Sequence, residues 1–350
     1  YRFRTADPVH EQTEAWICAD KNQLYIAFHC QDSHPDLIRA HETQREGNID
    51  QDDYVGLAID TQGTRRNVSQ FSVTARGTQL TQLEGGTAEN LAWAGDWTAA
   101  TKRVADGWTA EISIPFTMLR YPRGASNFPL VLLRQIARET NPEIWPDVPL
   151  GGDSNPLQYL NDFLGVQPPY YPPHLLFLPY TLTTSGKTTA LRTGLDVKYP
   201  ISTTLTGVAT LFPDFETVEQ AVQDLSFSYT EKYLPDRRPF FAEGNGFWQD
   251  SFLFYSQRIA NVDEGLKVVG KQGRTTIAAL GTNADGANGQ SAFFTSVTQD
   301  MGLFSNVGAA VLGTNLDGQP ANRVAQINGS FGWKQNGRQM SLNGNATDSW

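Results

Sequence analysis

Two arginines, Arg237 and Arg238, stand beside Phe240, Phe241 and Glu243 in the run LPDRRPFFAEGNGFWQD (Leu234–Asp250). Guanidinium groups bind carboxylates through paired, planar hydrogen bonds and stack on aromatic rings. Such a run predicts a packing unit. Phe240, Phe241, Phe247 and Trp248 supply buried area, and Arg237 and Arg238 pair with Asp236, Glu243 or the carboxylates of a neighbouring sheet. Contact with a substrate is the competing use of the same side chains.

Sugar binding needs aromatic faces for pyranose rings and polar groups for hydroxyls. Trp93 and Trp97, separated by Ala94-Gly95-Asp96, fall in an expected loop and are the candidates for a carbohydrate ligand. Core packing is the alternative for both. Asp50, Asp52 and Asp53 cluster in NIDQDDY, and grouped carboxylates can hold calcium, which takes six to eight oxygen ligands. Their spacing fits no EF-hand loop, so a solvated acidic turn competes, and no other cofactor is expected. No nucleophile elbow, paired-histidine zinc motif or phosphate loop occurs, so no enzyme activity is expected.

The elements that must position these residues fall into two halves. Short β-prone runs such as Leu24–Cys30, Asp53–Asp60, Gln70–Ala75 and Pro129–Arg138 fill the first. In GWTAEISIPF (Gly107–Phe116), Trp108, Ala110, Ile112 and Ile114 share one side. Regularly spaced strands without a helical period predict a β-sandwich over residues 1–168. Cys18 and Cys30 lie on strands of one expected hairpin, too far apart along it to bond, so both should be buried free thiols. The proline-rich stretch at residues 169–188 reads as a linker and entry to the next domain.

From residue 189 to 350 the alternation sharpens. Leu191, Thr193, Leu195, Val197 and Tyr199 oppose Arg192, Gly194, Asp196 and Lys198. Ala325, Ile327, Gly329, Phe331 and Trp333 oppose Val324, Gln326, Asn328, Ser330 and Gly332. Near the end, Met340, Leu342 and Ala346 oppose Gln339, Ser341, Asn343, Asn345 and Thr347. The polar face is rich in small uncharged residues where a water-facing sheet usually carries Lys and Glu. That pattern predicts an antiparallel transmembrane β-barrel, its apolar face on outer-membrane lipid and its polar face on a wet lumen. A soluble sheet with one solvated face is the alternative.

Tight connections near Pro200, Gln272, Met301 and Asn336 alternate with longer ones at Phe212–Asp224, Thr282–Gln290 and Thr314–Pro320. Short periplasmic turns and long outer loops are the barrel arrangement. About eleven strands are expected, including ones near 224–232 and 252–260. Bacterial barrels favour even numbers, so the barrel is expected to continue past Trp350. This count places the Tyr233–Ser251 connection at the periplasmic end, plugging or gating the mouth.

Charge and composition agree. A formal charge of -10 argues against nucleic acid as a partner. A mean hydropathy of -0.39 does not oppose a barrel, because only alternate residues of a barrel strand face lipid.

LPDRRPFFAEG, preceded by LFPDFETVEQ (Leu211–Gln220) and followed by LFYSQRIA (Leu253–Ala260), resembles the family called domain of unknown function 5916. Pro213, Asp214, Phe215, Val218, Glu219, Arg237 to Phe241, Glu243, Gly244 and Phe254 to Ile259 carry the match; Phe212, Asp236, Gln257 and Ala260 depart from it. The first half is similar to family 9 carbohydrate-binding modules through GWTAEISIPFTMLRYP (Gly107–Pro122) and DDYVGLAIDT (Asp52–Thr61). The resemblance implies an outer-membrane barrel of a Gram-negative bacterium behind a periplasmic sandwich, with no activity to transfer. The expectation is a protein that handles or passes a polar solute, a glycan among the candidates. A soluble secreted glycan-binding protein, and an outer-membrane scaffold with envelope protein partners, stay open beside it.

Overall fold

The structure, a computed structural model, describes residues 9–65, 67–83, 96–146, 157, 160–172, 174–184, 190–213, 238–248, 253–259, 262–285, 289–302, 304–335 and 338–350. The protein is all-β apart from short helical turns. The chain forms two compact units, their main division at Tyr171–Pro172.

The first unit is a β-sandwich. One sheet joins β1 (Thr13–Ala19), β2 (Gln23–Gln31), β7 (Gly107–Pro115) and β6 (Thr98–Val104), in that order. The other joins β10 (Asn161–Leu164), β8 (Asn127–Gln135), β3 (Tyr54–Ile59), β4 (Ser69–Thr74) and β5 (Gln79–Gln82), with β9 (Glu143–Trp145) paired to β8. Alternation decides the inward faces. Leu24, Ile26, Phe28 and Cys30 of β2 pack with Trp108, Ala110, Ile112 and Ile114 of β7, against Val55, Leu57, Ile59, Phe71 and Val73 of the second sheet. Each large apolar side chain so buried contributes about 1.5–3 kcal/mol. Cys18 pairs across from Tyr25 and Cys30 from Thr13, and both thiols are free; Cys30 is buried as expected, but Cys18 is exposed, on the outer face of edge strand β1.

The second unit is one antiparallel sheet of nine strands in sequence order. They are β11 (Leu176–Thr184), β12 (Ala190–Pro200), β13 (Leu205–Leu211), β14 (Glu264–Gln272), β15 (Thr275–Ala284), β16 (Gln290–Asp300), β17 (Asn306–Leu316), β18 (Asn322–Gln335) and β19 (Arg338–Ser349). Among the described residues the sheet is open: β11 and β19 do not pair, and no closed barrel is present.

Two expectations change here. Residues 253–259, read as part of a strand, instead form a 3-10 turn at Ser256–Arg258. Arg238 donates to the carbonyl oxygens of Ile259 (2.6 Å) and Ser256 (2.7 Å), holding this stretch outside the ladder. The strand expected near 224–232 lies outside the described residues. β13 pairs directly with β14, Thr206 opposite Val269 and Thr210 opposite Gly265, so no strand comes between them.

That pairing moves the arginine–phenylalanine segment to the other end of the sheet. The short connections, from Pro200 to Leu205, Gln272 to Thr275, Asp300 to Asn306 and Gln335 to Arg338, share one end. The connection from Leu211 to Glu264 leaves and returns at the opposite end, with those from Ala284 to Gln290 and Leu316 to Asn322. The expected periplasmic placement of the segment rested on the two extra strands.

Candidate functional site

The register sorts the nine-stranded sheet into two chemically distinct faces. Phe177, Val197, Ala209, Leu266, Gly281, Phe293, Gly313 and Arg323 lie in one row across β11 to β18. Their face also carries Leu191, Tyr199, Ile277, Val297, Val311, Ile327, Phe331 and Trp333. Paired main-chain bonds of 3.0 Å between Arg323 and Trp350 add Leu342 and Met340 of β19 to it. This apolar face is uncovered, with Leu266 61%, Ile327 63% and Leu342 65% exposed.

The opposite face is polar and partly covered. A helical turn at Pro239–Ala242 and 3-10 turns at Asn245–Phe247 and Ser256–Arg258 hold the 238–259 segment. Phe240, Phe241, Trp248 and Ile259 from it pack with Val208, Val269, Ala278, Leu280, Ala292, Phe294, Ala310 and Leu312 of the sheet. The segment sits close because Gly265 lies beneath it: a Cβ there would come within 2.8 Å of the Phe240 ring. Phe240 and Phe241 meet edge to face at 5.2 Å, and Phe254 lies 5.0 Å from Phe294 of β16.

Charges are concentrated where the segment touches the sheet. Lys267 of β14 is fully buried, yet it donates to the carbonyl oxygens of Phe240 and, at 2.8 Å, Glu243. Its ammonium also faces the rings of Phe240 (5.0 Å) and Trp248 (5.6 Å). Lys198 of β12 pairs with the Glu243 carboxylate. Asp196 accepts from Thr210 at 2.5 Å, and Lys271 pairs with Asp300 at 3.2 Å. A buried ammonium is costly unless hydrogen-bonded, and carbonyl oxygens supply that here. The Arg238 guanidinium lies 4.2 Å over the Phe241 ring.

Of the expected plug residues, Arg238, Phe240, Phe241 and Glu243 therefore meet in one unit on the polar face. Arg237 lies outside the described residues. The partners of Glu243 are lysines of the sheet, Lys198 and Lys267, which sequence reasoning did not single out. Their signal was present: LDVKY and LKVVGK place lysines at polar positions of alternating strands.

The candidates in the first unit fare differently. Trp93 lies outside the described residues. Trp97 is 1% exposed, its ring 5.5 Å from Phe71 at 83°, and its Nε1 donates to Thr81 at 2.8 Å. It precedes β6 outside any strand, as expected, but it is a core residue with no face open to a sugar, which corrects the expected ligand role. The Asp52 carboxylate accepts the main-chain amides of His41 (2.8 Å) and Glu42 (2.9 Å), and Asp53 that of Arg39 (2.8 Å). These two carboxylates, both buried, hold the loop at residues 39–42, and Asp50 is exposed beside them. Both oxygens of Asp52 and one of Asp53 are committed to amides, and among the described residues the three aspartates are not a group whose ligand atoms lie within 4.8 Å of one another.

A different group, Glu11, Asp32 and His34, brings ligand atoms within 4.8 Å of one another. Arg138 spans it, binding both oxygens of Asp32 at 2.9 Å and Glu11 at 2.8 Å. Buried Arg134 sits behind, 3.7 Å from Asp32. The guanidinium of Arg138 supplies the positive charge a metal would bring, so the arrangement is a structural ion network.

Comparison with known proteins gives one family match and two structural likenesses. Residues 171–277 match the family described as Domain of unknown function (DUF5916). That match spans β11 to β14, enters β15 and includes the 238–259 segment. A solved carbohydrate binding module family 9 (CBM9) from Caldicellulosiruptor kristjanssonii, in complex with glucose, is similar at 16% identity. The likeness covers 48% of this chain and 84% of that one, with a TM-score of 0.34. The same organism's module in complex with cellotriose is similar at 15% identity over 40% of this chain and 67% of that one, with a TM-score of 0.30. No curated protein matches the chain.

Proposed function

We propose that the second unit belongs to an outer-membrane β-barrel that passes or handles a polar solute. The observation that carries this reading is the uncovered apolar face, continuous from Phe177 of β11 to Leu342 of β19. Soluble proteins rarely leave so wide an apolar surface in water. Facing hydrocarbon it needs no cover, and the opposite face then lines a wet interior. Closure requires β11 and β19 to gain partners, because an open edge in lipid leaves main-chain groups unsatisfied.

In this reading the short connections lie on the periplasmic side, where the chain also enters β11, and the first unit is periplasmic. The 238–259 segment enters from the loop end and narrows the interior as a plug. The experiment is detergent extraction followed by electrophoresis with and without boiling. A barrel requires detergent and migrates differently before and after heating. A chain that is soluble and monomeric without detergent contradicts the reading.

For the first unit we propose a carbohydrate ligand, on the observation that Trp16 stands 56% exposed on β1, opposite the small Ala27 of β2. Its indole face is free to stack. Retention of this unit on immobilised polysaccharide, lost in Trp16→Ala, supports the assignment; retention unchanged in that variant refutes it.

A further inference from the structure

The polar face of the second unit divides into a charged half and an uncharged half. Arg192, Asp196 and Lys198 lie on β12, Lys267 and Lys271 on β14, and Asp300 at the short-turn end of β16. Beyond them, the polar positions of β17 from Asn306 to Leu316, β18 from Asn322 to Gly332 and β19 from Ser341 to Ser349 carry no charge, and the stretch is bounded by Lys334, the next polar position of β18, at the short-turn end.

The uncharged half is an ordered array of hydrogen-bonding groups. Thr298 lies opposite Gly308, Gly308 opposite Asn328, and the β18–β19 register brings Asn345 beside Asn328. In the next row Ser296 lies opposite Ala310 and Ala310 opposite Gln326, whose amide donates to Thr347 at 3.3 Å. Gly308 leaves its backbone bare, and the Asn328 amide and Thr298 hydroxyl converge over it. A Cβ there would lie 2.9 Å from Thr298 Oγ1 and collide with the Asn328 amide. The 238–259 segment reaches this array at its edge, through Phe254 against Phe294 and Gln290 donating to the Arg258 carbonyl at 3.2 Å.

We propose that this array is a binding track for a neutral polyhydroxylated ligand, of the chemical class of an uncharged oligosaccharide. The assignment rests on reading the polar face as a lumen wall. Amide side chains offer a donor and an acceptor side by side, and hydroxyls do both, which is what a hydroxyl-rich ligand requires. An ionic solute finds no counter-charge along the track, and rings of fixed charge are how pores favour ions. The charged residues near the segment are engaged with it and with one another: Lys198 with Glu243, Lys267 with two carbonyls, Lys271 with Asp300.

The test is calorimetric titration of the full chain in detergent with maltohexaose and with hexagalacturonate, its anionic counterpart in length. Maltohexaose is expected to bind at least about tenfold more tightly than hexagalacturonate. Asn328→Leu, and independently Asn345→Leu, each made in a Trp16→Ala background so that the first unit does not contribute, should weaken maltohexaose by at least about tenfold. Equal affinity for the two sugars overturns the proposal. So does maltohexaose affinity that survives both asparagine variants, or no maltohexaose binding by chain whose β-structure is intact by circular dichroism. Detergent-phase partition of the same preparation tests the barrel separately. A chain found in the aqueous phase that still binds maltohexaose through Asn328 contradicts the lumen and keeps the track.

Discussion

The ammonium of Lys267 lies 2.8 Å from the main-chain oxygen of Glu243, in a site from which water is excluded. One lysine of the sheet thereby closes the carbonyls of the covering segment, while the Glu243 carboxylate reaches Lys198 on β12. The segment is fastened to two strands, β12 and β14, that are separated by β13.

Lys267→Met is therefore expected to loosen the segment. The methionine keeps apolar contact with Phe240 and Trp248 but leaves two buried carbonyl oxygens without their donor, at a cost of about 1–3 kcal/mol each. Hydrogen exchange should rise at residues 238–248 and stay unchanged in β1 to β10. Unaltered exchange in the segment would show that its apolar packing alone holds it.

Asp53 gives the first unit a pH dependence of unusual sign. Burial pushes its carboxyl above the ordinary range, and nearby Asp32 adds to this, while the Arg39 and Ala137 amides and Arg138 oppose it. The folded state thus holds the proton more tightly than the unfolded chain. The contribution to stability is complete below the unfolded value of about 3.9 and is lost as pH rises through the raised folded value. Asp53→Asn keeps an oxygen for the Arg39 amide and removes that loss. Denaturant titrations should show the variant gaining on the parent across this window, and parallel stability curves would contradict the assignment.

The two thiols should behave as opposites. Burial pushes Cys30 up to about 12, while Cys18 is exposed. At mild alkaline pH a thiol reagent is expected to modify Cys18 in the folded protein and Cys30 only after denaturation, because the thiolate is the reactive form. Comparable rates at both would mean that the core around Cys30 opens readily.

Much of this was legible in the sequence where one physical rule dominated. Strict alternation in LRTGLDVKY and NRVAQINGSFGW gave the faces of β12 and β18, because a side-chain period of two leaves one choice once one face is apolar. Trp108 was legible as core for the same reason. LFYSQRIA failed because its β-prone composition is the same in a ladder as on top of one; what holds it out is Arg238, eighteen and more residues earlier in the chain, which binds the Ser256 and Ile259 carbonyls. With β13 paired directly to β14 and neither extra strand between them, the end of the sheet from which the segment emerges reversed. The ligand role of Trp97 was misread because a loop position suggests an exposed ring, while the partners that bury it, Phe71 and Thr81, are remote in sequence. The clustered aspartates resemble a cation site in sequence, and only the positions of the His41, Glu42 and Arg39 amides reveal how their oxygens are used.

The central claim concerns which solvent meets each face, and β18 tests it with adjacent residues. Nitroxide labels placed one at a time at residues 326 to 331, with the protein reconstituted in lipid bilayers, report collision with oxygen, which concentrates in hydrocarbon, and with a water-soluble nickel chelate. Labels at Ile327, Gly329 and Phe331 should collide with oxygen, and those at Gln326, Asn328 and Ser330 with the chelate, alternating residue by residue. Labels at Ile327 and Phe331 that reach neither, or that reach the chelate, would mean that protein or water covers the apolar face, and the barrel reading would be wrong.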